Sequence, residues 1–428
     1  MNKINISKLD ELIYEETLDN GLKIFVCKTP NFNKKLAFFQ TRYGSLDNEF
    51  IPINGKKVKK YPLGIAHFLE HKLFESEDNI DYFKLFQENG AYLNAATSYD
   101  KTYYFFSCSD NFYDNLTNLI EMVQTPYFAD ENVEKEKGII GQEIDMYSND
   151  PNQVLYDKLY YNAFVNDPMK YDIAGTKKDI KEITKEDLYE CYNTFYHPSN
   201  MFLTIVGDVD VKKTIKLIKE IEDNKKYDKP KEIIKSEIDE PKEVLKKEEQ
   251  IYHNVYATKV GYAYKIILDK INEEEDIKRI FYIKTFLKTI FGSLSGFTED
   301  LIKEKVVKSY FEYYPNISDN YFLITFAADA LNEEELKRRI DEKLSCFDNL
   351  EEGFRLYKKS ALANYVKAFE SPYAICSFIK NNYNKYKKVI TNYYEIYNEL
   401  DFDDYVNYIK KIDFTSQTKV IVKKKEKE

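Results

Sequence analysis

The sequence of 428 residues contains no tryptophan, only five cysteines and only four histidines. The cysteines are widely separated and form no C-x-x-C pair, which excludes a disulfide framework and favours a reducing compartment. No apolar run approaches the roughly 18 residues of a membrane span. The N-terminal stretch, MNKINISKLDELIYEE, lacks the apolar core of a signal peptide. We therefore expect a cytoplasmic protein without a membrane span.

The charged residues are balanced and interspersed, with 63 Lys and Arg against 73 Asp and Glu and a net charge of -10. Nucleic-acid binding needs a concentrated basic surface, and the sequence offers none. A hydrophobic share of 43% predicts a globular chain. The length exceeds what one core usually supports, so we expect two domains of about 200 residues each.

A change of composition marks the expected boundary between these domains. Residues 223–250 are dominated by charge and contain Pro230 and Pro241, which is typical of a linker. The predicted domains are therefore residues 1–222 and 251–428. Each opens with strand-like runs, continues with helical segments and closes with a short strand. This order predicts the α+β class and two similar domains.

One five-residue motif carries the chemistry. His67 and His71 are four residues apart on a predicted helix over 64–74, so their rings lie on one face. Glu70 projects beside them and can accept a proton from a water molecule. A catalytic zinc ion takes three protein ligands and leaves one position open. The order H-x-x-E-H therefore predicts two zinc ligands and a general base.

The third ligand has to come from another segment, and a carboxylate is expected. The charged helix predicted over 131–149 offers five candidates. Two of them, Glu136 and Glu143, are two helical turns apart and share a face, so one can bind zinc while the other lies nearby. Spacing alone leaves that choice open. The candidates are Glu131, Glu134, Glu136, Glu143 and Asp145.

The other two histidines, His197 and His253, are isolated in the sequence. We interpret both as structural or surface groups rather than metal ligands. No G-x-S-x-G motif, phosphate-binding loop or Cys/His catalytic spacing is present.

Taken together, these segments resemble the insulinase/pitrilysin-type metallopeptidases, and most closely the two-domain bacterial branch related to mitochondrial processing peptidase. The resemblance is carried by four segments that cover most of residues 20–210. It implies two α+β domains, each a mostly antiparallel sheet with helices on one face, arranged as a clam shell. The four segments are GIAHFLEHKLFE, NGAYLNAATSYDKTYYFFS, EKEKGIIGQEIDMYSNDP and FYHPSNMFLTIVGDVD.

The resemblance also assigns roles to individual residues. It implies Glu143 as the third ligand of one Zn²⁺ per chain and Glu136 as an assisting carboxylate. Asn94 and Ala95 match the strand that holds an extended peptide by main-chain hydrogen bonds. In the second domain, Tyr310 matches a substrate-contacting tyrosine, but Lys303 stands where the family has arginine, and the two are not equivalent at a bidentate site.

The expected function is a zinc endopeptidase that cleaves unfolded peptides or leader peptides in an enclosed chamber. Two alternatives remain open. The chain could be a catalytic subunit that is inactive without a partner, or a non-catalytic subunit of the same fold. A homodimer, or a heterodimer with a related zinc-less subunit, is compatible with the resemblance.

Overall fold

The computed structural model describes residues 1–425, which form two compact units. Neither unit is a continuous stretch of chain. The first comprises Met1–Ile144, Asp172–Glu237 and Asn364–Tyr393. The second comprises Asp145–Tyr171, Ile238–Ala363 and the chain from Tyr394 onward. The last three residues of the predicted second domain lie outside the described range.

Strands and helices alternate along the chain in an α+β pattern. The strands are β1 (Asn2–Asn5), β2 (Leu12–Thr17), β3 (Lys23–Lys28), β4 (Lys35–Thr41), β5 (Glu49–Phe50), β6 (Lys59–Lys60), β7 (Ala91–Thr97), β8 (Thr102–Cys108), β9 (Met201–Gly207), β10 (Glu248–His253), β11 (Lys259–Ile267), β12 (Val307–Ile317), β13 (Tyr321–Ala330) and β14 (Gln417–Lys424). The helices are α1 (Ile65–Lys72), α2 (Tyr82–Glu88), α3 (Phe112–Gln124), α4 (Asp130–Ser148), α5 (Pro151–Ala163), α6 (Lys177–Glu182), α7 (Lys185–Phe195), α8 (Val211–Asp223), α9 (Glu273–Phe291), α10 (Phe297–Lys303), α11 (Glu333–Leu344), α12 (Leu350–Lys367), α13 (Pro372–Tyr386), α14 (Tyr393–Asn398) and α15 (Phe402–Ile409).

The sheet of the first unit has the strand order β1-β2-β3-β9-β4-β8-β7. Only the β3/β9 pair is parallel, and every other neighbouring pair is antiparallel. Strand β7 therefore lies at an edge, with one side of its backbone unpaired within this sheet. The turn between β7 and β8 makes these two antiparallel strands a hairpin.

Strand β9 is buried at every position because both faces of the sheet are covered. On one face, Leu203 and Ile205 join the main core, to which α1, α3 and α7 contribute. On the other face lies α13, which comes from the second half of the sequence. Its Tyr383 ring packs 4.9 Å from Phe25 and 4.7 Å from Phe202, measured between ring centroids.

The second unit repeats this plan with the strand order β10-β14-β11-β13-β12. Again one pair, β10/β14, is parallel and the others are antiparallel. Helix α5, from the first half of the sequence, packs against β11. Gly261 permits this close approach, since a Cβ atom there would lie 2.6 Å from Leu159 Cδ1.

The predicted α+β class with two similar, mostly antiparallel sheets is confirmed. Helices α1, α3 and α7 of the first unit lie on one face of its sheet, as expected, whereas α13 packs on the opposite face. The chain between α8 and β10 lacks helices and strands apart from an isolated bridge at Lys235. Residues 254–258 separate β10 from β11 and lie in no strand.

Candidate metal centre

Helix α1 presents the two motif histidines. Gly64 precedes the helix with φ of 81°. A side chain there would place Cβ 2.2 Å from the Ala174 carbonyl oxygen, so the chain needs glycine at this point. The apolar residues of α1, including Phe68 and Leu69, are fully buried in the main core. Packing of that face turns the rings of His67 and His71 toward α4, with their centroids 4.6 Å apart.

Helix α4 supplies the third group. Glu143 Oε2 lies 3.8 Å from His67 Nε2 and 3.8 Å from His71 Nε2. The ligand atoms of these three residues all lie within 4.8 Å of one another. This is the only His, Cys, Asp and Glu cluster of metal-binding geometry among residues 1–425. The structure thus brings together the two histidines and Glu143.

Glu136 lies one step further from the centre. Its Oε1 is 2.9 Å from His71 Nδ1. Because a carboxylate accepts hydrogen bonds, Nδ1 carries the proton and Nε2 keeps its lone pair for a metal. Burial by itself would lower the pKa of His71, but the hydrogen bond that His71 donates to Glu136 and the charges of Glu70, Glu136 and Glu143 outweigh it and raise that pKa.

His67 has the opposite electrostatic environment. Burial, helped by the neighbouring His71, lowers the pKa of His67 to about 4. The ring is therefore neutral at ordinary pH, which is the form that binds a metal. Its Nδ1 has no hydrogen-bond partner within the described chain, so packing alone orients this ring.

Glu70 lies beside the three-residue group without belonging to it. Only 8% of the residue is exposed, and its Oε2 accepts a hydrogen bond of 2.8 Å from Thr97 Oγ1. Burial raises the pKa of Glu70, while the Thr97 hydroxyl and the charge of His71 oppose that rise. Thr97 lies within the segment NGAYLNAAT, and nothing in its sequence position indicates that it contacts Glu70.

The predicted substrate-binding residues fall in two places. Asn94 and Ala95 lie on the edge strand β7, and Asn94 is exposed. Lys303 ends α10 and Tyr310 lies in β12, both in the second unit. The Tyr310 hydroxyl is buried without a hydrogen-bond partner in residues 1–425, and burial raises its pKa. The substrate roles of all four stay predictions.

The two isolated histidines bind backbone carbonyls. His197 Nε2 is 3.0 Å from the Asp228 oxygen, and His253 Nε2 is 3.1 Å from the Ser148 oxygen. Neither joins the metal-binding group, in keeping with the structural interpretation.

Comparison with known proteins places these features in a family. Residues 58–177 match the family model described as "Insulinase (Peptidase family M16)", and residues 182–353 match "Peptidase M16 inactive domain". The chain is 37% identical over 385 residues to "Uncharacterized zinc protease YmfH" of Bacillus subtilis, covering 90% of this chain and 89% of that protein.

Two further similarities bear on the fold and on relatives outside bacteria. The crystal structure of a putative M16-like peptidase from Alicyclobacillus acidocaldarius superimposes with a TM-score of 0.90 at 27% identity, covering 98% of this chain and 99% of that one. An Arabidopsis thaliana protein named probable mitochondrial-processing peptidase subunit beta is 30% identical over 162 residues, which is 37% of this chain and 30% of that protein. Within residues 1–425, none of the helices has the length and apolar character that crossing a bilayer requires.

Proposed function

The chain belongs to the insulinase family, peptidase family M16, and from that premise we propose that it is a zinc endopeptidase that cleaves extended peptides. One observation carries the proposal: His67, His71 and Glu143 converge, while the buried carboxylate of Glu70 stands beside them. Such a division into ligands and a separate base is what metal-assisted hydrolysis needs.

The residues fit zinc in both chemistry and spacing. Two imidazole nitrogens and a carboxylate oxygen are a common ligand set of catalytic zinc. Ligand atoms about 2.0–2.1 Å from a tetrahedral ion lie roughly 3.3 Å apart. The 3.8 Å separations to Glu143 need only a small contraction to reach this value. We expect one zinc per chain.

The side chains divide the remaining work. Bound zinc would polarise the scissile carbonyl and lower the pKa of the attacking water. Glu70 accepts the proton of that water and later donates it to the leaving amine. The Thr97 hydroxyl donates to Glu70 Oε2 and holds the carboxylate in place beside the proposed ligands. Glu136 holds the His71 ring in its ligating tautomer.

The edge strand β7 supports an extended substrate. An unfolded segment can pair with the open side of this strand once it displaces Asn94 Oδ1, which accepts from Ala95 N at 2.8 Å, and such pairing gives affinity with little demand on sequence. Asn94 and Ala95 lie on this strand, and Thr97 at its end contacts Glu70. Unfolded peptides and leader peptides are therefore the proposed substrate class. The proposed location of the protein is the cytoplasm. Lys303 and Tyr310 are proposed additional substrate contacts.

A second candidate is a catalytic subunit that needs a partner. The named β subunit among the relatives and the lysine at position 303 favour it. A non-catalytic subunit of the same fold is the third possibility. The complete set of His67, Glu70, His71 and Glu143 argues against that possibility, because a subunit without catalysis has no use for a general base.

The test combines metal analysis with peptide cleavage. The purified chain should bind about one zinc, and it should cut members of a quenched peptide library. Glu70→Gln should keep the zinc and lower kcat by about 10²–10⁴-fold, because a general base contributes that much. Unchanged turnover in Glu70→Gln contradicts the mechanism. Activity that appears only with a co-purifying protein identifies the partner-dependent form.

A further inference from the structure

Asn384, in the last turn of α13, connects two elements of the first unit. Its Oδ1 accepts a hydrogen bond of 3.0 Å from Gln40 Nε2 in strand β4, next to the central strand β9. Its Nδ2 donates a hydrogen bond of 2.6 Å to Asp100 Oδ2 in the β7–β8 turn. These two partners define the orientation of the Asn384 amide. If the amide were flipped, its NH2 group would face the NH2 group of Gln40, and its oxygen would face the carboxylate of Asp100.

The β7–β8 turn is held from the other side by the backbone. Ser45 N donates to the Ser98 oxygen at 3.1 Å, and Leu46 N donates to the Tyr99 oxygen at 2.9 Å. Gly44 makes this approach possible, because a Cβ atom there would lie 2.4 Å from the Tyr99 oxygen. The turn is thus hydrogen-bonded to residues 44–46 on one side and to Asn384 of α13 on the other.

The residue immediately before this turn contacts the proposed general base. Thr97 Oγ1 donates to Glu70 Oε2 at 2.8 Å and lies 3.2 Å from Thr102 Oγ1 across the hairpin. Thr102 Oγ1 in turn donates to the Tyr43 oxygen at 2.9 Å. A shift of the turn would therefore move the hydroxyl that orients Glu70.

We propose that Asn384 is a positioning residue of the peptidase site, which acts through Asp100 and the β7–β8 turn on Thr97 and thereby on Glu70. This inference rests on the proposed peptidase function. It assigns an active-site task to a residue more than 200 positions beyond the zinc ligands in the sequence.

The preceding residue shows that α13 does not depend on Asn384 for its attachment. Tyr383 accepts a hydrogen bond of 2.9 Å from Arg42 Nη2, and its ring packs on Phe25 and Phe202. Tyr383 thus anchors the helix to the sheet without touching the turn. Asn384 donates a hydrogen bond to Asp100 in the turn, so its contribution can be separated from simple attachment.

A reciprocal exchange tests the proposal. In Asn384→Asp, two carboxylates face each other at hydrogen-bonding distance, so the turn should move and kcat should fall by about 10–100-fold with zinc still bound. Asp100→Asn alone should remain close to wild type, because an amide oxygen can still accept from Asn384. The double variant Asn384→Asp/Asp100→Asn should recover to within about threefold of the wild-type kcat, since residue 100 then donates to residue 384 and Gln40 is still satisfied.

Tyr383→Phe is the matched control. It removes one hydrogen bond of α13, so Tm should fall slightly while kcat is unchanged. The proposal is wrong if Asn384→Asp keeps its kcat, if the double variant is not rescued, or if Tyr383→Phe loses as much activity.

Hydrogen exchange of the peptide spanning residues 94–104 gives a readout independent of activity. Exchange should rise in Asn384→Asp, return to the wild-type level in the double variant and stay unchanged in Tyr383→Phe. If wild type cuts no peptide but the exchange pattern holds, the peptidase function fails while the link from Asn384 to the turn stands. If exchange does not respond, the link itself fails.

Discussion

At the scale of single residues, the site depends on hydrogen bonds that surround the metal-binding group. His71 is oriented by Glu136, and Glu70 is oriented by Thr97. Both partners are acceptors or donors for buried groups, so their removal leaves a buried polar atom unsatisfied. Either partner can be removed by a substitution that leaves the three proposed zinc ligands in place.

Glu136→Ala should weaken zinc binding about 10–100-fold, because His71 loses the acceptor that fixes its tautomer. Competition with a chromophoric chelator measures this affinity. Glu134→Ala is the control on the same helix, since Glu134 pairs only with Lys137 at the surface. Equal zinc affinity in the two variants would remove Glu136 from the site.

Thr97→Val should lower kcat about 10–100-fold while zinc stoichiometry stays at one, because the change removes the hydroxyl that holds Glu70 and keeps the side-chain volume. Thr97→Ser retains the donor and should stay close to wild type. Steady-state kinetics on a single quenched peptide distinguishes the variants. Loss of activity in both would mean that β7 packing, and not the hydroxyl, is responsible.

At the scale of elements, one carboxylate anchors the linker segment to the second unit. Glu240 accepts hydrogen bonds from the backbone N–H groups of residues 165–167 and pairs with the fully buried ammonium of Lys265 at 2.5 Å. The charged segment therefore carries a buried ion pair, although its composition is that of a solvated linker. Removing one partner of such a pair leaves the other charge buried and unpaired, which destabilises the fold.

Glu240→Gln should lower the free energy of unfolding by about 3–5 kcal/mol, because the fully buried Lys265 ammonium would lose its ion-pair partner. Urea denaturation followed by circular dichroism provides the value. Glu237→Gln, an exposed neighbour in the same segment, should change it by less than about 0.5 kcal/mol. A loss of similar size in both variants would contradict a specific role for the pair.

The same carboxylate predicts a pH dependence. Burial alone would raise the pKa of Glu240, but Lys265 and the backbone amides outweigh it and lower that pKa. A lowered folded-state pKa stabilises the protein above the unfolded value of about 4.3, and this stabilisation disappears as pH falls through the folded-state pKa. Wild type should therefore lose stability more steeply below about pH 4.3 than Glu240→Gln does. If the free energy of unfolding falls equally steeply with decreasing pH in wild type and Glu240→Gln, this prediction is wrong.

At the scale of the whole molecule, each unit takes one helix from the opposite half of the sequence. Helix α13 covers Phe25 and Phe202 of the first unit, and α5 packs on Gly261 of the second. Neither half of the chain contains all of a unit. A fragment that ends in the linker would leave apolar side chains of its sheet exposed, at about 1.5–3 kcal/mol for each large one.

Residues 1–250 expressed alone should therefore neither unfold cooperatively nor bind zinc, because α13 is missing. Co-expression with residues 251–428 should restore both properties. Thermal unfolding and metal analysis provide the comparison, and a full chain cleaved once within the linker is the control for the chain break. A fragment 1–250 that folds cooperatively and holds zinc would show that α13 is dispensable.

Much of the site was readable from the sequence. His67, Glu70 and His71 form a local pattern, and the geometry of one helix is enough to place their side chains together. The strand-like runs and the helix of Glu143 follow from residue patterns in the same way. Spacing could not choose between Glu136 and Glu143, and only the family resemblance favoured Glu143. In the structure, Glu143 Oε2 lies 3.8 Å from both His67 Nε2 and His71 Nε2, and its role as a ligand stays a prediction.

By itself, the sequence determined the motif helix, the α+β class and the pair of candidate carboxylates, because these depend on contacts between residues a few positions apart. Only the tertiary structure decided that Thr97 holds Glu70, that Glu136 holds His71, that Asn384 reaches the β7–β8 turn and that the two halves exchange α5 and α13. The physical reason is that a contact between distant segments depends on how whole elements pack, and such packing has no short-range period that a single sequence displays.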